Sequence, residues 1–207
     1  TGTVTFTATA ADGSRKSASI KLTFTRNMDT LTIVGADIIG GGKSVTYKAV
    51  CDRYATNKKV IWSLSGDTDC ATLNASGVLK AKAVTAPKYV TVTATAADGG
   101  GATASIDVVI YPIVTKVNIF LGSEVVTGKT LAGSMSDLDE LALRVENSPA
   151  RSYKGWTVTT SNKDVAASID PSGNISVSIV PGAVIKLNAV VTITVKATDG
   201  SNKTANV

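Results

Sequence analysis

Two stretches of this sequence are near copies of each other and decide its fold: residues 3–24 read TVTFTATAADGSRKSASIKLTF, and residues 89–110 read YVTVTATAADGGGATASIDVVI. Aligned without a gap, they are identical at 12 of 22 positions. A third copy, VTITVKATDGSNKTANV, occupies residues 191–207. Each copy carries one Asp-Gly pair, at 12–13, 98–99 and 199–200, so the chain is built from a repeated unit.

The chemistry of each copy is that of a β-hairpin. In the first copy Val4, Phe6 and Ala8 alternate with threonines, which places the apolar side chains on one face of a strand. Asp12-Gly13 supplies residues that suit a tight turn, and the alternation resumes from Ala18. Because an isolated hairpin is only marginally stable in water, we expect each copy to close a larger sandwich.

The rest of the period repeats as well. Trp62 in VIWSLS corresponds to Trp156 in GWTVTT, and Ser76-Gly77 corresponds to Ser172-Gly173. About seven short strands per period, separated by turn residues, are typical of an immunoglobulin-like sandwich. The predicted fold is therefore all-β, with tandem immunoglobulin-like β-sandwich modules arranged end to end.

The repeat also predicts the module boundaries. Residues 1–26 are the closing hairpin of a preceding, incomplete module, 27–111 form one sandwich, and 112–207 form a divergent sandwich with insertions. The junction VIYPIV at 109–114 contains a proline and almost no flexible spacer, so we expect a stiff, monomeric rod. The first hairpin should be ordered only by docking onto another sheet; if it completed a sandwich with 27–111, these boundaries would be wrong.

Three stretches of the first complete module carry a family resemblance: ATNKKVIWSLS at 55–65, CATLNASGVLKAKAV at 70–84 and VTVTATAADG at 90–99. They resemble the bacterial immunoglobulin-like group 2 modules of invasin- and intimin-type surface proteins. The second module keeps the strand of Trp156, SIDPSG at 168–173 and VTITVKATDG at 191–200. It departs from the pattern by about ten extra residues between Ile119 and Leu141 and about five between Gly173 and Val191.

The resemblance implies a seven-stranded sandwich, an extracellular or cell-surface setting on a bacterium, and a role in adhesion or as a spacer. It implies no catalytic residues and no fixed set of ligand-binding residues. A resemblance of this kind bears on the fold more strongly than on the function.

Composition excludes several classes of function. The net charge is +5, but the basic residues are scattered rather than arranged in a stripe with interleaved aromatics, so nucleic-acid binding is not expected. No run approaches the roughly 20 apolar residues that span a bilayer, so no membrane insertion is expected in this segment. The first residues show no pattern of a signal peptide.

The chain contains no histidine, which removes the commonest general base and metal ligand. Ser-His-Asp and Cys-His arrangements are therefore impossible within it, and we predict no enzyme activity and no cofactor. Asp137, Asp139 and Glu140 form an acidic cluster, for which a calcium site and a solvated loop are both open. The solvated loop is favoured because the spaced ligands of a calcium loop are missing, so no metal site is predicted.

The two cysteines and two tryptophans each admit two interpretations. A disulfide between Cys51 and Cys70 would suit an extracellular chain, but the strand between them spans about 20 Å and a bridge needs Cα atoms within about 7 Å. Free, largely buried thiols are therefore favoured, with the bridge left open. Trp62 and Trp156 could stack on sugars, but their place within apolar strands favours the core.

The candidate binding residues are Arg53 with Tyr54 and Arg151 with Tyr153, in equivalent loops just before the two tryptophan strands. Loops on a rigid sandwich often carry binding. The main hypothesis is a non-catalytic stalk or adhesion segment of a bacterial surface or secreted protein. Two alternatives stay open: a module that binds a protein or glycan of a host or bacterial surface through the loops of the second sandwich, and an accessory region of a larger secreted enzyme.

Overall fold

The structure, a computed structural model, describes residues 2–133, 138, 141–186 and 188–207. Within these ranges the regular structure is nineteen strands and one 3₁₀ turn, Thr68–Cys70. The fold class predicted from the repeat is confirmed: the chain is all-β and consists of tandem immunoglobulin-like sandwiches. The described residues contain no helix with the length and hydropathy needed to cross a bilayer.

The N-terminal hairpin consists of β1 (Gly2–Thr9) and β2 (Ser17–Phe24). They pair antiparallel with Val4 opposite Leu22 and Phe6 opposite Ile20, as the alternation predicts. The turn places Gly13 at φ 84°, a conformation that glycine adopts without steric cost. Among the described residues this sheet has two strands, and every residue of both is exposed.

The first complete sandwich is built from nine short strands. They are β3 (Leu31–Val34), β4 (Ile38–Gly40), β5 (Ser44–Thr46), β6 (Lys48–Cys51), β7 (Val60–Gly66), β8 (Ala71–Leu73), β9 (Val78–Ala81), β10 (Lys88–Ala96) and β11 (Thr103–Tyr111).

One layer of this sandwich is a four-stranded sheet in the order β4-β11-β10-β7. The facing layer has the order β3-β6 in one part and β5-β9-β8 in the other. Strands β5 and β6 are one extended segment interrupted at Tyr47, whose N–H donates to the carbonyl of Gly77 (2.8 Å). That interruption accounts for one of the strands beyond the seven or so that were expected.

The core of the first sandwich lies between the two layers. Its most completely buried side chains include Tyr47, Leu79, Val92 and Ile110, at 0–2% exposure. The hydroxyl of Tyr47 donates to the carbonyl of Ala36 (2.7 Å), which satisfies its polar end inside the core. Burial raises the pKa of Tyr47 to about 12.

The second sandwich repeats this plan. Its strands are β12 (Lys116–Leu121), β13 (Glu124–Val125), β14 (Leu143–Ser148), β15 (Trp156–Thr160), β16 (Val165–Ile169), β17 (Asn174–Ile179), β18 (Ile193–Ala197) and β19 (Thr204–Asn206). The sheets have the orders β13-β12-β14-β17-β16 and β15-β18-β19. The core between them is aliphatic, with Ile119, Leu143 and Val195 at 0–1% exposure.

The tryptophans of the two sandwiches are half-buried and pack against the cores, as the repeat predicts. The indole N–H of Trp156 donates to the side-chain oxygen of Asn147 (2.8 Å). Both cysteines are free thiols. Cys70 is buried and its thiol donates to the carbonyl of Asp67 (2.8 Å), whereas Cys51 is half-buried.

Candidate functional site

The described residues contain no group of three side chains that could hold a metal ion. The acidic cluster of Asp137, Asp139 and Glu140 lies outside the described residues, so its two interpretations remain predictions. The candidate binding residues predicted from the sequence lie in two loops, each with one tyrosine. We therefore describe the two tyrosine loops and the junctions near them.

The first loop joins β6 to β7 and presents an exposed aromatic ring. The carboxylate of Asp52 accepts a hydrogen bond from the backbone N–H of Tyr54 (2.8 Å), which fixes the loop from within. The ring of Tyr54 is 60% exposed, and the guanidinium groups of Arg53 and Arg26 lie 4.8 Å and 5.2 Å from its centroid. These distances are those of cation–π contacts.

Arg26 connects this loop to the end of the N-terminal hairpin. Its guanidinium contacts the carboxylates of Asp29 (2.7 Å) and Asp52 (3.6 Å). The hydrogen bond and the charge of Asp29 raise the pKa of Arg26, with a smaller contribution from Asp52. Among the described residues no carboxylate forms an ion pair with Arg53, so the cation that lies beside the ring of Tyr54 can meet an anionic partner.

The second loop joins β14 to β15, and the structure places its tyrosine at the junction between the two sandwiches. The ring of Tyr153 lies 5.6 Å from the ring of Tyr111, the last residue of β11, with 52° between the planes. The carbonyl of Tyr153 accepts a hydrogen bond from the side chain of Asn147 (2.8 Å). Tyr153 is half-buried, while Arg151 is exposed.

The four candidate residues therefore do not form one site. Arg53 and Tyr54 come together beside Arg26. Tyr153 instead contacts Tyr111. In the repeat, the residue that follows Tyr111 corresponds to Arg26. Both loops thus lie where a sandwich meets the segment before it. Tyr54 makes a cation–π contact with Arg26 there, and Tyr153 makes a ring contact with Tyr111.

Sequence reasoning missed a second role for the aspartates of the repeated Asp-Gly turns. Asp199 accepts one hydrogen bond from Ser201 N–H (2.9 Å) and another from Val114 N–H (2.6 Å). Val114 is 1% exposed and lies 85 residues earlier in the chain, so this bond fastens the start of the sandwich to its last hairpin. A buried N–H that lost its acceptor would be costly, since water cannot replace the bond.

Asp98 makes the same pair of bonds in the first sandwich. Its carboxylate accepts from Gly100 N–H (2.9 Å) and from Met28 N–H (2.5 Å), and Met28 is 2% exposed. These bonds, with Gly100 the larger contributor, lower the pKa of Asp98. The sequence shows that the Asp-Gly turns recur, but a distant backbone N–H leaves no trace in a residue pattern.

The two sandwiches also approach each other at backbone level. A Cβ atom added at Gly40 would lie 2.9 Å from the carbonyl oxygen of Asp199, which is closer than Cβ atoms approach other heavy atoms in proteins. Gly40 ends β4 of the first sandwich, and Asp199 begins the last turn of the second. The junction therefore combines a close backbone approach with the ring contact of Tyr111 and Tyr153, and the hydrogen bond from Val114 N–H to Asp199 fixes the start of the second sandwich beside them.

Comparisons with known proteins yield structural likenesses only. No family model matches the sequence, and no curated protein matches it. Similar solved structures include extracellular cadherin domains 1–4 of protocadherin gamma B7 (13% identity, 99% of this chain and 56% of that chain, TM-score 0.32). Others are the human desmocollin-1 ectodomain (11%, 99% and 43%, TM-score 0.29) and mouse cadherin-23 EC22-24 (12%, 99% and 72%, TM-score 0.34). This chain spans about half the length of the first two.

Proposed function

We propose that this chain is a non-catalytic spacer or adhesion segment of a bacterial cell-surface or secreted protein, working outside the cell without a cofactor. The observation that carries the proposal is the junction between the two sandwiches. Two contacts hold it: the ring of Tyr111 with the ring of Tyr153, and the close approach of Gly40 to the carbonyl oxygen of Asp199. A chain whose modules are fixed to one another holds whatever it carries at a set distance and direction.

The module boundaries belong to this proposal. Residues 27–111 and 112–207 are the two complete units, and residues 1–26 close a unit that precedes them. Supporting this division, the strands of each range pair only within that range among the described residues. The assignment to the bacterial immunoglobulin-like group 2 family rests on the quoted sequence stretches and is part of the same proposal.

A distance measurement tests the stiffness that a spacer requires. Spin labels at Thr72 and Ser178, which are exposed and lie in different sandwiches, would report the distribution of distances by pulsed electron resonance. The background is Cys51→Ser with Cys70→Ala, so that only the introduced cysteines are labelled. We expect one narrow distribution, because the short junction leaves few torsions free.

The matched control inserts Gly-Gly-Ser-Gly-Gly between Pro112 and Ile113 in the same labelled protein. Such a linker behaves as a flexible coil, so it should broaden the distribution several-fold. A native protein whose distribution is as broad as that of the insertion variant would contradict the proposal of a stiff spacer.

A second candidate function is specific binding through the loops, which the exposed pair of Tyr54 and Arg53 favours. An aromatic ring beside an unpaired cation suits an anionic glycan or an acidic protein surface. We would measure binding of the 207-residue chain to immobilised mucin, extracellular matrix and bacterial cell wall. Saturable binding to one of them should fall at least about tenfold in the Arg53→Ala, Tyr54→Ala double variant if the loop supplies about 1.4 kcal/mol or more.

The control for this assay is Tyr89→Ala, since Tyr89 is a tyrosine of similar exposure, 63%, on a strand rather than in the loop. It should leave binding unchanged. Equal loss in the control and the double variant, or binding to none of the three surfaces, would remove the support for a binding site in this loop. The proposal of a spacer would be unaffected, because its own test is the distance distribution. Arg151 and Tyr153 can be examined in the same way, with a smaller loss expected because Tyr153 already contacts Tyr111.

A further inference from the structure

One outer face of the first sandwich carries a strip of exposed side chains along residues 44–52. This segment comprises β5, β6, the residue between them and the residue after them. Ser44, Thr46, Lys48 and Val50 are exposed, and the residues between them are buried or half-buried. The alternation therefore continues through the whole segment, and at about 3.3 Å per residue the strip is about 26 Å long.

The middle of the strip presents apolar surface to solvent. Val50 lies opposite Thr32, and Lys48 lies opposite Val34, on the neighbouring strand β3. Val34 is 59% exposed and Val50 is 54% exposed, although both belong to strands of the sandwich. An exposed apolar patch that is flanked by polar side chains is typical of a contact surface.

Basic side chains divide the strip at even intervals. Lys80 of β9 lies opposite Ser44, Lys48 belongs to the strip itself, and Arg53 follows Asp52. Positions 44, 48 and 52 are four residues apart, which corresponds to about 13 Å along a strand. Among the described residues, no carboxylate forms an ion pair with any of these three cations. The sequence scatters them, and the sheet brings them to one face.

The acidic residue at the end of the strip is already occupied. The side chain of Asp52 is 10% exposed, and its carboxylate lies 3.6 Å from Arg26 and accepts the N–H of Tyr54 (2.8 Å). Asp52 therefore adds little negative charge to the exposed surface. The same two contacts place the exposed ring of Tyr54 at this end, so the loop of Tyr54 and the strip form one continuous surface.

The opposite face of the same sandwich has a different character. It is the outer face of the sheet β4-β11-β10-β7, and its outward positions carry mainly threonine and serine. The hydroxyl of Thr91 donates to the carboxylate of Asp107 there (2.7 Å). The one lysine of these four strands, Lys88, pairs with Asp67 (3.6 Å). The unpaired cations of the strip are thus a property of one face and not a general result of the net charge.

The spacing of the cations selects among anionic partners. A nucleic-acid strand carries one phosphate about every 3.4 Å along the duplex axis, which is far denser than cations about 13 Å apart. Two copies of this chain placed strip to strip would bring like charges together, which disfavours a dimer through this face. A polymer whose acidic groups are separated by partly apolar units fits both the charges and the exposed valines between them.

We propose that this strip binds an extended acidic polysaccharide, whose carboxylate or sulfate groups contact Lys80, Lys48 and Arg53. The sugar rings between these contacts pack their C–H groups on the exposed valines and on the ring of Tyr54, since an aromatic ring offers an apolar face. This inference rests on the proposed binding through the loop of Tyr54. It adds the class of the ligand and the part of the surface that lies outside the loop.

The test measures the dissociation constants of the 207-residue chain for a heparin dodecasaccharide and for an oligogalacturonate of equal length by titration calorimetry. The variant Lys48→Ala, Lys80→Ala changes only strip residues outside the loop, and we expect it to weaken binding of at least one of them about fivefold. The variant Lys48→Arg, Lys80→Arg should retain binding, because it keeps both charges.

The matched control is Lys116→Ala, Lys196→Ala, which removes two exposed strand lysines from the second sandwich and lowers the net charge equally. It should leave the dissociation constant nearly unchanged. An equal loss in this control would overturn the proposal, because it would show an effect of net charge alone. Binding of polyglutamate as tight as that of the polysaccharides would overturn the class of ligand.

A last comparison separates this inference from the binding proposed for the loop. If the Arg53→Ala, Tyr54→Ala variant lost binding while Lys48→Ala, Lys80→Ala bound normally, the loop would remain a binding site and the strip would be ruled out. Binding to neither polysaccharide would also overturn the strip as their site. If the lysine variant alone lost binding, the strip would bind without the loop, and the proposed continuity of the two would be wrong.

Discussion

Replacing Gly77 by alanine should lower the free energy of unfolding of the first sandwich by about 2–5 kcal/mol. Gly77 has φ 77°, which costs an L-residue roughly 1–2 kcal/mol. The added Cβ would lie 2.7 Å from the carbonyl oxygen of Tyr47 and 2.9 Å from the ring of Trp62, and crowding of this kind costs about 1–3 kcal/mol more. The loop cannot simply move away, because the carbonyl of Gly77 accepts a hydrogen bond from Tyr47 N–H (2.8 Å).

Gly99→Ala is the matched control for this prediction. Gly99 has nearly the same backbone conformation, φ 78°, but no atom lies within 4 Å of the position of an added Cβ. It should therefore show the conformational cost alone, about 1–2 kcal/mol. Urea denaturation followed by tryptophan fluorescence measures both. Equal losses in the two variants would mean that contact with Tyr47 and Trp62 contributes nothing.

The same turn illustrates what could be predicted from the sequence. The pairs Ser76-Gly77 and Ser172-Gly173 recur at matching places in the repeat. In the structure both glycines have positive φ, and each lies close to a backbone carbonyl and to the tryptophan ring of its sandwich. Alternation of apolar residues with turn residues between them was enough to predict strands, hairpins and their inward faces. These features depend on residues that are close together in the sequence, so the alternation of apolar and polar residues along a strand is enough to predict them.

Features that depend on distant backbone atoms could not be predicted in this way. The hydrogen bond from Val114 N–H to the carboxylate of Asp199 joins residues 85 positions apart, and the contact of Tyr153 with Tyr111 depends on how one sandwich follows another. The sequence therefore indicated that Tyr54 and Tyr153 stand in equivalent loops but not that both lie beside the preceding segment. The interruption of a strand at Tyr47 was missed for the same reason, since it depends on Gly77 in another loop.

The N-terminal hairpin has the sequence of a core-facing hairpin, but its apolar side chains are exposed to solvent. Phe6, Ile20 and Phe24 are 55–61% exposed, although their equivalents Val92, Ile106 and Ile110 face the core of the first sandwich. The pairing of the two hairpins is the same residue by residue, with Phe6 opposite Ile20 and Val92 opposite Ile106. A two-stranded hairpin is at best marginally stable alone in water, so we predict that further strands would stabilise it.

Supplying those strands should convert the hairpin into the closing pair of a folded module. Fusing a second copy of residues 27–87 directly to Gly2 preserves the spacing of the repeat, because Gly2 corresponds to Lys88. In the 207-residue chain we expect the hairpin amides to exchange almost as fast as in an unfolded peptide. In the fusion they should be protected by about 5,000-fold or more, the factor given by a module with roughly 5 kcal/mol of stability.

The fusion needs a control for the size of the side chains that enter its core. Phe6, Leu22 and Phe24 are larger than Val92, Val108 and Ile110, which they would replace, and overpacking alone can cost about 1–3 kcal/mol at a site. A second fusion with Phe6→Val, Leu22→Val and Phe24→Ile therefore restores the side chains that the copied strands accommodate in the first sandwich. If the hairpin of this second fusion also exchanged freely, residues 1–26 would not be the closing hairpin of a module. Protection in the second fusion but not the first would show that the core provided by residues 27–87 is too small for Phe6, Leu22 and Phe24.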